Sequence, residues 1–287
     1  MTNNNQFNVD VQSGMLTGVT IAGLFNPLDK ALYLSVVNKR PFLLKANFEN
    51  PWHGFSQAIV SRSISDGSYY VLQSQMTSLF DQHIKQPLHL NDWQNQLGIG
   101  LTAGSLRGFL INWLYAIRFR TWKTHADTFY SSARDMWKNG GFRPFMKGAS
   151  ATIGRDAVFG IVYEVTRHNK DENPSTQFAR NIVSGSLAAV ASSPLNYLRS
   201  MAYASSPELK ALGARKVFTD LWHESKSCLT LPSKLSFFQR RFLIGYGTAR
   251  VGLGMAAGQF LFDKMRNTLD QLNSENEVVS KEKRSLK

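Results

Sequence analysis

Gly18-Val19-Thr20-Ile21-Ala22-Gly23-Leu24-Phe25-Asn26-Pro27-Leu28-Asp29 decides how this chain divides. A glycine is followed nine residues later by a proline inside a stretch that otherwise has the spacing of a helix. The frame returns twice, about 84 residues apart. Gly104 precedes Trp113 in Asn112-Trp113-Leu114-Tyr115, and Gly185 precedes Pro194 in Ser193-Pro194-Leu195-Asn196. Five residues after each marked position stand Leu32, Arg118 and Arg199. Internal repetition fixes the division of a chain before any other feature does. It predicts three units at residues 11–90, 91–172 and 173–272, between polar tails at 1–10 and 273–287. Gly14-x-x-x-Gly18 and Gly100-x-x-x-Gly104 hold the same place in their units, and small residues at that spacing let helices approach closely. An interior proline costs a helix in water about 3 kcal/mol, but neighbours in a bundle satisfy the freed carbonyl. Pro27 and Pro194 therefore read as kinks within helices.

The chain has 287 residues and a net charge of +13. That length fits two soluble domains or one membrane domain of about six crossings. So large a basic excess predicts an anionic partner: a phosphate-bearing metabolite, acidic lipid or nucleic acid. A single cysteine, Cys228, excludes an intramolecular disulfide framework. The six histidines are scattered without metal-site spacing, so neither metal nor cofactor is expected. No basic head precedes an apolar run at the N-terminus, so no secretory signal is read there. Mean hydropathy is −0.24 and no run offers 18 uninterrupted apolar residues. Either the protein is soluble, or its spanning helices are amphipathic and turn their ionisable residues toward a water-filled interior.

Periodicity predicts six long helices, at about 11–37, 52–80, 96–122, 146–168, 175–204 and 238–272, with short surface helices at 127–141 and 214–225. The fold class expected is an all-α membrane protein, with six transmembrane helices in three pseudo-repeats and short surface helices between the pairs. No catalytic triad, phosphate loop or metal cluster stands out, so no enzyme is expected. Basic residues are dispersed and no groove-reading helix appears, so nucleic acid is not an expected partner.

These motifs resemble the mitochondrial carrier family, which repeats Pro-x-acid-x-x-basic and, later, an aromatic-basic-Gly step. Pro27-Leu28-Asp29, Phe145-Met146-Lys147-Gly148 and Pro194-x-Asn196-x-x-Arg199 match it, as do Tyr163-Glu164-x-x-Arg167 and Phe262-Asp263-x-x-Arg266. Trp113 stands for a proline, Tyr115 and Asn196 for acids, and Leu32 for a basic residue, so the resemblance is to a divergent member. It implies a solute carrier, integral to the mitochondrial inner membrane of its own or a host cell, that works as a monomer among anionic lipids such as cardiolipin. It also implies two gates. Asp29 would face Arg118 and Tyr115 would face Arg199 at the matrix side. Glu164 with Arg266, or Asp263 with Arg167, would close the opposite side.

The same resemblance places Arg62, Arg155, Asp156 and Arg250 at the substrate. Guanidinium forks match phosphate oxygens with paired hydrogen bonds, and the expected substrate is an adenine nucleotide, ATP or ADP, exchanged by alternating access. The alternatives are an amino-acid or carboxylate carrier, for which Arg155 beside Asp156 speaks, and a carrier-like scaffold that no longer transports.

Overall fold

The structure is a computed structural model that describes residues 3–124, 128–167, 173–205 and 213–285. Among these, regular structure is helical throughout. The long helices are α1 (Asn3–Val37), α2 (Phe55–Leu79), α3 (Asp92–Thr124), α6 (Ala149–Arg167), α7 (Pro174–Ala204) and α10 (Tyr246–Ser285). The short ones are α4 (Phe129–Gly140), α5 (Arg143–Met146), α8 (Ala214–Lys226) and α9 (Leu231–Arg241). The link expected at 169–174 lies mostly outside the described residues.

The long helices form a closed ring in the order α1, α2, α3, α6, α7, α10, with α10 returning to α1. The repeated glycines explain the closeness of three of these pairs. A Cβ on Gly18 would run into the Arg62 backbone carbonyl of α2, and one on Gly104 into that of Asp156 on α6. One on Gly185 would sit 3.2 Å from the Gly252 Cα of α10. At Gly18 and Gly104 backbone meets backbone and nothing flexible can yield, so only glycine fits; at Gly185 the approach is tight but less absolute. α1 and α7 run on through Pro27 and Pro194 without a break.

Asn26 and Asn112, just before the marked positions, both tie the chain that leads into the next long helix. The Asn26 side-chain amide donates to the Pro51 carbonyl at 3.2 Å, and that of Asn112 to the Phe145 carbonyl at 2.8 Å. Three residues beyond each acceptor the chain turns at a glycine with positive φ, Gly54 at 78° and Gly148 at 72°. An L side chain is strained there.

Three expectations need correction. Between α1 and α2 the short surface element is a single 3₁₀ turn (Lys45–Asn47), because Pro41 and Pro51 leave no room for a helix. The stretch expected to open the last helix is instead α9, which the Leu243 to Gly245 turn separates from α10. Thr230 caps α9 by accepting from the Ser233 backbone N–H at 3.4 Å, a start signal that sequence reading passed over. Finally, the tails are not separate. α1 already includes Asn3 to Asp10, and α10 continues to Ser285, because its Glu- and Lys-rich end holds neither proline nor glycine.

Beside an apolar core that includes Ile21, Leu114 and Tyr163, much of the burial is inverted relative to a water-soluble bundle. Leu16, Val19 and Leu24 of α1, Leu101, Phe109 and Leu110 of α3, and Val183, Leu187 and Val190 of α7 are exposed, while Ser13, Thr17, Asn26, Ser61, Ser65, Asn112, Arg118, Ser192 and Arg250 are buried. Among the described residues no helix is long and apolar enough to cross a membrane by hydropathy. The polar inner faces lower the average.

Candidate functional site

The ring encloses a central cavity lined from all six long helices, with about 180 Å³ of water-accessible space. That is room for several waters. Arg62, Arg107, Arg118, Arg155, Arg199 and Arg250 line it, and Asp29 is its lining carboxylate.

Two carboxylates are each bracketed by two guanidiniums. Asp29 on α1 accepts from Arg62 Nη2 at 2.8 Å, and Arg250 grips it side-on, Nε to Oδ1 at 2.5 Å and Nη2 to Oδ2 at 2.9 Å. Asp156 on α6 meets its neighbour Arg155 at 2.5 Å and Arg107 of α3 at 3.5 Å. The close approach of α3 and α6 at Gly104 carries Arg107, one turn on, to Asp156. The predicted Arg62, Arg155 and Arg250 thus line one cavity, and Asp156 is joined to it through Arg155 and Arg107. Arg107 was not predicted, although a signal existed: it stands three helical turns before Arg118, on the same face.

At one end of the cavity the ion pair expected between Asp29 and Arg118 is not formed, because Asp29 is taken by Arg62 and Arg250. Arg118 instead lies over Tyr115 at 5.3 Å, Phe119 at 5.4 Å and Trp122 at 4.8 Å, and reaches Ser61 Oγ at 3.4 Å. Tyr115 and Arg199 do meet as expected, by stacking at 5.2 Å. Arg199 also lies over Phe119 and donates to Asn196 of its own helix at 2.7 Å. Aromatic faces attract a guanidinium through the ring quadrupole, and partial desolvation strengthens the contact. Tyr33 and Tyr203 back Phe119 at 4.4 and 5.0 Å between ring centroids.

The other end is joined by hydrogen bonds. Gln73 of α2 donates to Glu164 of α6 at 2.7 Å. Arg167 donates to Gln259 of α10 at 3.2 Å, and Gln259 to Asp263 at 2.9 Å. The expected Arg167–Asp263 pair is therefore bridged by a glutamine. Arg266, expected opposite Glu164, pairs with Asp10 of α1 at 3.0 Å, because α1 and α10 are neighbours in the ring. Asp10 was missed because the helix was read as starting after it.

No protein-family profile matches the chain. It is similar to the mitochondrial glycine transporter of Xenopus laevis, 24% identical over 214 residues. It is also similar to that of Xenopus tropicalis, 26% identical over 214 residues. In each case the match covers 65% of this chain and 70% of the relative. Both relatives are transporters by name, and the similarity to them is distant.

Proposed function

We propose that the protein is a membrane carrier that exchanges polyvalent anionic metabolites, adenine nucleotides first among them, by alternating access through the central cavity. One observation carries the reading. Six arginines line a single cavity whose lining carboxylate is Asp29; counting also Asp156, which pairs with Arg107 and Arg155, the group keeps an excess of four positive charges. Like charges this close repel by a few kcal/mol at an effective dielectric near 20, so the lining favours a negatively charged occupant. A nucleoside di- or triphosphate supplies the missing negative charge and enough oxygens for several guanidinium forks. Tyr69 and Phe159 line the same space, their rings carrying Arg107 at 5.2 Å and Arg155 at 5.0 Å.

The inverted burial supports a lipid setting, with apolar side chains outward and polar ones toward the cavity. In this reading, residues 11–90, 91–172 and 173–272 are three units of one carrier domain, which works as a monomer among anionic lipids of the mitochondrial inner membrane. Arg62, Arg155, Asp156 and Arg250 contact the substrate. Asp29, Tyr115, Arg118 and Arg199 govern the matrix side, and Glu164, Arg167, Asp263 and Arg266 the opposite side. Alternating access needs these two sides to open in turn about one site.

The second reading is an amino-acid carrier. It is favoured by the adjacent charges of Arg155 and Asp156 and by the glycine transport for which the Xenopus relatives are named. A zwitterion brings no net charge and would leave the cationic excess in place, which is why the anionic reading is preferred. Purified protein in liposomes, offered labelled ADP, ATP, glycine and citrate, decides between them. Uptake of ADP and ATP that Arg62→Ala and Arg250→Ala each lower at least a hundredfold supports the proposal. Uptake of glycine alone replaces it with the second reading.

A further inference from the structure

We propose that the aromatic end of the cavity binds a small inorganic anion, chloride in kind, at the guanidinium of Arg118. This anion is a resident of the fold and not the transported metabolite, so the site does not depend on what is carried.

Four of the six cavity arginines have a carboxylate beside them. Arg62 and Arg250 share Asp29, and Arg107 and Arg155 share Asp156. Among the described residues Arg118 and Arg199 have no carboxylate within ion-pair distance, and both stand at the same end, against Tyr115 and Phe119. The sequence shows why. Tyr115 and Asn196 occupy places where the repeated motif carries acids, so the cations remain and their carboxylates do not.

Both cations lie deep. Arg118 is 5% exposed and Arg199 9%. The Nε of each is buried without a hydrogen-bond partner. A buried charge that lacks a counter-charge is strongly destabilising, and ring faces compensate it less than an anion does. Arg118 is the less satisfied of the two. Its hydrogen bond to Ser61 Oγ is long, at 3.4 Å, whereas Arg199 donates to Asn196 at 2.7 Å. Arg118 lines the cavity, so an ion from solution can reach it.

The surroundings select a small ion. Phe119 packs against Tyr33, Tyr203 and Trp122 with ring centroids 4.4, 5.0 and 5.2 Å away. Rings this close leave no berth for a polyphosphate, but a single halide fits beside one guanidinium. It accepts from the Arg118 Nε–H while the guanidinium stays on its rings. Ring edges carry the positive end of the aromatic quadrupole and suit an anion, as ring faces suit the cation. Arg199 adds a second positive charge over the same two rings.

The test uses purified full-length protein in detergent, with sodium chloride compared against equal concentrations of sodium gluconate, whose anion is too bulky for this place. Chloride is expected to raise the melting temperature by a few degrees, as a ligand of the folded state does. The protein is also expected to broaden the chloride NMR line. Arg118→Gln loses both responses. Ser61→Asp supplies a carboxylate to Arg118 from within the fold. It melts in gluconate as wild type does in chloride and no longer broadens the line, so it reads the proposal even if Arg118→Gln fails to fold. Wild type that melts equally in the two salts and leaves the line sharp overturns the site. So does a folded Arg118→Gln or Ser61→Asp that responds to chloride as wild type does. None of these outcomes bears on the nucleotide reading, and failure of nucleotide uptake leaves the anion site standing.

Discussion

At one end of the cavity Arg118 and Arg199 lie across the rings of Tyr115, Phe119 and Trp122. At the other, side chains of α2, α6 and α10 are linked through Gln73, Glu164, Arg167, Gln259 and Asp263. The first end is held by packed surface. Trp122 is 2% exposed and Phe119 5%, and such contacts are lost together when rings part. The second is held by discrete hydrogen bonds, each worth about 1 kcal/mol net and each replaceable by water. A cavity that opens alternately gains from that difference. In the proposed cycle the hydrogen-bonded end would open at small cost, and the aromatic end would stay shut until something draws its arginines away.

The largest effect should therefore come from the rings. Trp122→Ala removes a buried indole that touches Tyr33, Phe119 and Arg118. A stability loss of about 3–5 kcal/mol is expected, read as a lower melting temperature in detergent, with Trp122→Phe recovering most of it. Next comes Asp10→Asn, which strips Arg266 of its partner on α1. The Arg266 side chain is 33% exposed, so water takes over part of the interaction and the loss should be about 1–2 kcal/mol. A larger melting shift for Asp10→Asn than for Trp122→Ala would reverse the assignment of the stiff and the yielding end.

Much of this was legible in the chain, and the rest was hidden for physical reasons. Helical spacing gave the long helices, because one buried face repeats every 3.6 residues whatever lies opposite. The register of Gly18, Gly104 and Gly185 marked where backbones touch, since a close approach excludes every other side chain. The partner of Asp29 was not legible. Arg62, Arg118 and Arg250 all stand within the same ring, and only the rotation of α2 and α10 selects two of them. Arg107 was legible in principle from its face but matched no repeated motif. α9 was missed because the apolar Phe237, Phe238 and Phe242 suit the start of a long helix as well as a short one. Hydropathy left the setting open, because it averages a polar lining with a more apolar exterior.

The smallest expected effect sharpens the comparison most. Gln259 both accepts from Arg167 and donates to Asp263, so it bridges the two charges that were expected to pair directly. Gln259→Glu places a carboxylate beside Asp263 and offers Arg167 a direct ion pair. Gln259→Leu removes the bridge and leaves Arg167 its contacts with Tyr163, at 3.3 Å to the hydroxyl and 5.2 Å over the ring. Neither change empties a packed core, so melting should move by less than about 1 kcal/mol equivalent for the leucine variant. Exchange rates should move in opposite directions if this end opens in the working cycle. A tighter Arg167 contact holds it shut and slows uptake, and a missing bridge speeds opening. Equal rates for both variants would mean that the hydrogen-bonded end does not limit transport, leaving the parting of Arg118 from its rings as the slow step.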